Sequence, residues 1–327
     1  MKKKLIETNF KSFKNKENII QKTISFVNKP HSRISYISLS SAYIYPKLWN
    51  VITNDFVILK GFERVYSDIK YQKFIFEFNN NKLPVKFTDL QEGSFFLLGG
   101  ENNYWHFLAD YLPRLACISN IKENIKIIIP LNLPEKYILF LEQIINELNM
   151  QNISFYKINE NYIFQFEKLI IAQRPNIYFS FIFYDSLIGK YFPKKPLNNL
   201  FIIRGNVLRR NAINEIEVSE YLKKYNYKAI NCAKLTIHEQ INAFSQAKNV
   251  IIISGASLIN LLFVPDGIKV IEIRSNNDGR FSLLVQMKKR FELFFLNTSE
   301  KVGNEFRKDI IIDYENLERT LLKEKMF

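Results

Sequence analysis

The chain has 327 residues, a formal net charge of +14 and a 47% hydrophobic fraction that includes 29 Phe and 17 Tyr. That apolar content excludes intrinsic disorder and suits two domains or one large α/β unit. Cys117 and Cys232 are too few for a disulfide framework, which points to a reducing, cytoplasmic setting. No stretch of roughly 18 apolar residues occurs, so no membrane-crossing helix is predicted. Glu7, Asn9 and Lys11 break any secretory signal at the amino end.

The basic excess is concentrated early, where Lys2, Lys3, Lys4, Lys11, Lys14, Lys16 and Lys22 meet only Glu7 and Glu17. Beside Leu5, Ile6, Phe10, Phe13, Ile19 and Ile20, such a segment suits an anionic membrane surface, and it equally describes a solvated end. Residues 1–50 are otherwise mixed. Strand-like runs follow at Phe56–Leu59, Phe74–Phe78, Val85–Phe87 and Ser94–Leu98, the last ended by Gly99-Gly100. A helix is expected from about Asn102 to Ile118, a strand over Ile125–Ile129 and an amphipathic helix over Glu135–Leu148. Strands near Ile153–Ile158 and Lys168–Ala172 complete a half that reads as a largely parallel sheet covered on both faces.

A Pro/Lys/Asn stretch from Phe192 to Asn199 is the best linker, dividing the chain into residues 1–192 and 193–327. Beyond it, strands at Leu200–Arg204, Tyr227–Ile230, Val250–Ser254, Lys269–Ile273 and Phe294–Leu296 alternate with helices at Glu215–Tyr225, Ile237–Ala247, Ala256–Phe263, Phe281–Arg290 and Asp313–Lys325. The expected fold class is α/β, with two Rossmann-like lobes and a cleft between them. Ligands of such sheets bind beyond the carboxyl ends of the strands.

Three segments carry residue types suited to chemistry. In the first, Asn102, His106, Asp110 and Arg114 fall four apart on the predicted helix and share one face. A His and a carboxylate one turn apart suit a general base with its orienting partner; the same spacing describes a solvated polar face. In the second, Arg204 leaves a strand at its carboxyl end, and Arg209 and Arg210 follow before a helix. Guanidinium groups there suit a diphosphate, or an exposed loop with no ligand. Asn214 and Glu217 look like a helix cap and its partner, as do Thr236 and Glu239. That places His238 on the surface.

In the third, an apolar strand ends in Ser254-Gly255-Ala256-Ser257 and passes into an apolar helix stopped by Pro265. Backbone N–H groups at that helix start suit a phosphate, and a tight turn packed in a core explains the pattern about as well. There is no Gly-x-Gly-x-x-Gly, Walker loop, Gly-x-Ser-x-Gly elbow, Asp-x-Asp or zinc constellation. Nucleic acid is not an expected partner, since the aromatic residues sit in apolar patterns rather than in an exposed basic stripe.

Taken together, Asn-Tyr-Trp-His-x-x-x-Asp-x-x-Pro-Arg, Ile-x-Arg followed by Arg-Arg-x-x-x-Asn-Glu, and Glu-Gln-Ile…Gly-Ala-x-Leu-x-Asn-Leu-x-Phe resemble glycosyltransferase family 61 over roughly Gly99 to Ile273. The resemblance implies a two-lobed GT-B-type fold and an inverting, metal-independent transfer from a nucleotide sugar, usually a UDP-sugar. It implies a glycan or lipid-linked glycan acceptor, as in bacterial capsule or lipopolysaccharide synthesis. Arg204, Arg209 and Arg210 would then lie near the donor diphosphate, and Ser254, Gly255, Ala256, Ser257 and Asn260 would contact the nucleotide. Glu272 would reach a ribose hydroxyl or serve a buried structural role. Asp110 is the first choice for the base and His106 its partner or substitute. Where the family usually carries His-Gly-Ala, this chain has Ser254-Gly255-Ala256. That departure leaves a second reading, an inactive sugar-nucleotide-binding scaffold.

Overall fold

A computed structural model describes residues 6–9, 19–25, 33–55, 57–60, 68–80, 82, 86–100, 102–189, 196–205, 211–275, 290–301 and 309–327. The chain forms two compact units, Met1–Phe183 and Tyr184–Phe327. The sequence-based boundary at 192–193 and the helix expected over residues 281–290 lie outside the described residues, save Arg290. The fold class is mixed α/β, and each unit contains a run of parallel strands.

In the first unit the strands are β1 (Ile6–Asn9), β2 (Ile19–Ser25), β3 (Arg33–Leu39), β4 (Ala42–Tyr45), β5 (Asn50–Thr53), β6 (Val57–Lys60), β7 (Lys86–Leu97), β8 (Ile125–Pro130), β9 (Ile153–Ile158) and β10 (Tyr162–Ala172). They make one ten-stranded sheet, ordered β1-β6-β5-β4-β10-β7-β8-β9, with β3 also on β10 and β2 on β3. The sheet is mixed rather than largely parallel. β10, β7, β8 and β9 are parallel, whereas β10 meets β4 and then β3 antiparallel. The antiparallel part is built on β10 by strands from the first 60 residues, of which the sequence shows only the run near Phe56–Leu59.

The run Phe74–Phe78 is helical, not a strand. It lies in α1 (Asp68–Asn79), where Phe74 is buried and stacks on Tyr45 at 4.7 Å between centroids. The apparent period of two fails because Phe76 points outward, 60% exposed, while Phe74 and Phe78 share a face one turn apart. β7 extends well before Ser94, but only its end is buried, which is why its first half does not read as a core strand. Ile125, Ile127, Ile128, Ile129, Phe95 and Phe96 are almost wholly removed from water, as parallel strands covered on both faces require. A three-residue α2 (Tyr104–His106) begins the site segment, and α3 (Glu135–Glu147) buries Tyr137, Phe140, Leu141, Ile144 and Ile145 at helical spacing. α4 (Ile177–Leu187) was not legible in the sequence, since it is apolar around its whole circumference and so shows no periodicity.

The second unit has β11 (Asn198–Ile203), β12 (Tyr227–Asn231), β13 (Ala247–Ile253), β14 (Ile268–Ser275), β15 (Phe291–Lys301) and β16 (Asp309–Ile311), ordered β12-β11-β13-β14-β15-β16. All pairs are parallel except β15 with β16. The helices α5 (Glu215–Leu222), α6 (Ile237–Ser245) and α7 (Tyr314–Lys323) follow the expected alternation. The core gathers Phe201, Ile251, Ile271, Leu317 and Leu321, and truncating a buried Phe of this kind costs about 3–5 kcal/mol. The strand order reverses between β11 and β13, which makes their carboxyl ends the topological switch point.

Candidate active site

In the first unit β7 and β10 run parallel in register, Leu97 beside Ile171, so their carboxyl ends are level. From β7 the chain turns through Gly99 and Gly100. Gly99 has φ 140°, a conformation L side chains rarely adopt, and a Cβ there would strike the Tyr111 ring. A Cβ on Gly100 would overlap the Trp49 indole at 1.4 Å. Two bare backbones thus let the next segment lie close on the sheet end. Asn103 then caps it, accepting from Trp105 N at 3.0 Å and His106 N at 3.4 Å.

The segment is not the uniform α-helix that the four-residue spacing predicts. One turn of α2 gives way to a π-helix over Phe107–Tyr111 and a 3-10 helix over Leu112–Cys117. Pro113 contributes to the change, because it has no N–H for an α-helical bond to Ala109 O. The shift in pitch separates the predicted face of four. His106 and Asp110 still meet, whereas Arg114 is buried and donates from Nη1 to Leu98 O at 3.1 Å. Asn102 donates to Asn132 O at 3.2 Å.

His106 Nδ1 lies 2.6 Å from Asp110 Oδ2. An ionised carboxylate only accepts, so the ring carries its proton on Nδ1 and directs Nε2 outward from the pair. The other carboxylate oxygen, Oδ1, accepts from Arg174 Nε at 3.0 Å. Burial pushes the Asp110 carboxyl up. The hydrogen bond from His106 and the charge and hydrogen bond of Arg174 outweigh this, so it titrates below its ordinary value of 3.8. The pair is largely enclosed, while the Arg174 side chain is 34% exposed. Arg174 was not among the sequence candidates. Its signal was available: it stands two residues past the strand Lys168–Ala172, much as Arg204 stands at the end of its own.

In the second unit, Arg204 sits at the end of β11 and donates from Nη1 to the carbonyl of Ser254 at the end of β13, bridging the two sides of the switch point. Gly255 is required by this contact, since a Cβ there would lie 2.1 Å from Arg204 Nη1. Ser254 N donates to Ile273 O at 2.8 Å. Ala256, Ser257 and Asn260 belong to a 3-10 helix over Ala256–Leu262 instead of an α-helix. Ala256 and Ser257 are half-buried at its start. Asn260 is fully buried, and its amide donates to Gln240 Oε1 at 2.9 Å, fastening this segment to α6. Glu272 is likewise fully buried within β14. Arg209 and Arg210 lie outside the described residues.

The Glu215 carboxylate was also missed. It accepts from Arg204 N at 2.5 Å and Gly205 N at 2.8 Å, holding the end of β11. Arg274, at the end of β14, packs over the Phe295 ring at 3.9 Å and donates to Asn297 Oδ1 at 3.0 Å. The expected Asn214–Glu217 box does not form. Asn214 instead exchanges hydrogen bonds with the backbone of Ile312, and Glu217 accepts from Tyr314. The Thr236–Glu239 box is present, and His238 is exposed.

No group of three or more His, Cys, Asp or Glu that could hold a metal occurs among the described residues. No helix among them is long and apolar enough to cross a membrane.

Parallel strand ends thus carry a His–Asp–Arg cluster in one unit and an arginine at the switch point in the other, within an α/β fold. The model of the family Glycosyltransferase 61 matches residues 104–271, just over half of the chain, and the chain belongs to that family. It is a glycosyltransferase, acting on a sugar donor and an acceptor. No curated protein matches it.

Proposed function

We propose that this enzyme moves a sugar from a nucleotide sugar, a UDP-sugar in the first instance, to a glycan acceptor, with inversion and without a metal. The observation that carries the reading is the buried, charge-stabilised His106–Asp110–Arg174 cluster at the ends of β7 and β10. His106 is the base in this reading rather than Asp110. The carboxylate is held below its ordinary value with both oxygens engaged, which makes it a poor proton acceptor and a good orienting partner.

Nε2 takes the proton of the acceptor hydroxyl as its oxygen bonds the anomeric carbon. On the opposite face the bond to the diphosphate oxygen breaks, and the electron pair leaves with the nucleoside diphosphate. The growing negative charge of the leaving group is offset by Arg204, with Arg209 and Arg210 as further donors. The division of labour is of the GT-B type, with acceptor activation on the first unit and donor binding on the second.

A panel of nucleotide sugars, each incubated with glycan acceptors with and without a chelator, tests this. Nucleoside diphosphate release that survives the chelator and is lost in His106→Gln supports the transferase. Binding without release supports the scaffold reading that Ser254 raises. Release abolished by the chelator overturns the metal-independent mechanism.

The setting we propose is the synthesis of capsule or lipopolysaccharide on the cytoplasmic face of an anionic membrane, approached through Lys2, Lys3 and Lys4. β2 pairs with β3 over Ile19–Ser25, so the test exchanges these three lysines for Gln rather than truncating the chain. Equal flotation of both proteins with anionic liposomes would refute it.

A further inference from the structure

The π turn that brings His106 onto Asp110 contains the Ala109 carbonyl. Its α-helical donor would be the N–H of residue 113, which Pro113 lacks. The fully buried Ser180 hydroxyl fills that place, donating to Ala109 O at 2.7 Å. Its alternative acceptor, Asn176 O one helical turn back, is further away at 3.3 Å.

Ser180 lies on α4, whose start is fixed by Asn176 Oδ1 accepting from Phe179 N at 2.8 Å. The loop just before α4 carries Arg174, which holds Asp110. One short segment therefore fastens two consecutive residues of the π turn, Ala109 by its carbonyl and Asp110 by its carboxylate.

We infer that Ser180 is a positioning residue for the transfer reaction: its hydroxyl fixes the backbone at Ala109 and thereby the distance between Asp110 and His106. The inference rests on the reading of His106 as base. It acts on the register of the pair and not on substrate binding. Losing the hydroxyl releases the Ala109 peptide, lets the turn relax toward another pitch and draws the Asp110 carboxylate from the imidazole. Misplacement of a catalytic group by a fraction of an ångström to 1 Å lowers turnover on the order of 10- to 100-fold.

The full-length enzyme with Ser180→Ala is expected to lose kcat by that factor while KM for donor and acceptor stays within about twofold. The downfield proton resonance of His106 Nδ1–H, identified by its loss in His106→Gln, is expected to shift or vanish. Ser180→Thr keeps the hydroxyl and is expected to keep both the turnover and the resonance, whatever its melting temperature. If Ser180→Ala is recovered unfolded, Ser180→Cys, similar in volume but a weak donor, is read by the same two measurements. Wild-type kcat and an unmoved resonance in the hydroxyl-free variant overturn the inference. Equal losses in the Thr and Ala variants overturn it too, because the hydroxyl then makes no difference. Should His106→Gln itself turn over normally, the reading of the base fails and not the strut alone.

Discussion

Asp110→Asn replaces one carboxylate oxygen by an amide group at nearly constant volume. The native Oδ2 accepts from His106 Nδ1 at 2.6 Å and Oδ1 from Arg174 Nε at 3.0 Å. An amide has a single acceptor oxygen, so its NH2 must face one of these two donors. If it faces the imidazole, the ring moves its proton to Nε2 and is no longer able to take one from an acceptor hydroxyl. If it faces the guanidinium, two donors oppose each other, and in both cases the charge that stabilises the imidazolium is gone. Positioned general-base catalysis is worth roughly 10²–10⁴ in rate. The expected loss in kcat is of that size, or about 3–5 kcal/mol of barrier. Nucleoside diphosphate release at saturating donor and acceptor measures it, and calorimetric titration with UDP is expected to show an unchanged affinity. A kcat within threefold of wild type would remove Asp110 from the mechanism. A parallel loss of UDP affinity would refute the division of labour between the two units.

The same carboxylate makes stability depend on acid. Its folded pKa lies below the ordinary 3.8, so its contribution is present above that value and lost as pH falls through the lower folded one. The difference in melting temperature between wild type and Asp110→Asn should therefore be constant near neutrality and close below about pH 4; a gap that widens in acid contradicts this. Gly255→Ala places a methyl group 2.1 Å from Arg204 Nη1, the end of a flexible side chain, so the fold should survive while Arg204 leaves Ser254 O. With a charged hydrogen bond worth roughly 1.5–3 kcal/mol, UDP binding is expected to weaken about tenfold or more, and unchanged affinity by calorimetry would dismiss Arg204 as a donor contact. Gly100→Ala meets the rigid Trp49 indole at 1.4 Å and is expected to cost about 1–3 kcal/mol by overpacking, read as a lower denaturant midpoint. An unmoved midpoint would show that the Trp49 contact is loose.

The second unit was largely legible in the sequence because its strands are buried on both faces. Val250–Ile253 and Ile268–Ile273 read as apolar runs bounded by turns, and intervening amphipathic helices fix the βαβ alternation. The first unit was less legible. Its strands β4 and β5 are only four residues long, too short to show a period, and Phe74–Phe78 alternates in type while turning as a helix. In the site, the spacing of His106 and Asp110 predicted their contact correctly, since one turn separates them in either an α- or a π-like segment. The same spacing misplaced Arg114, because the pitch changes within the turn between Asp110 and Arg114.

The sequence by itself determined the α/β class, the strand ends at which chemistry is possible and the residue types that stand there. These follow from local rules: period, turn residues and the need of buried strands to be apolar. The tertiary structure decided which distant groups meet. Arg174 reaches Asp110 because β10 lies beside β7 in the sheet although β8, α3 and β9 separate them along the chain. Ser180 finds the Ala109 carbonyl for the same reason. Likewise Asn260 and Glu272, polar in type and near the motif in sequence, are drawn wholly inside by the packing of their segments. A polar residue's role is set by what closes over it, and that is a property of strand order rather than of sequence spacing.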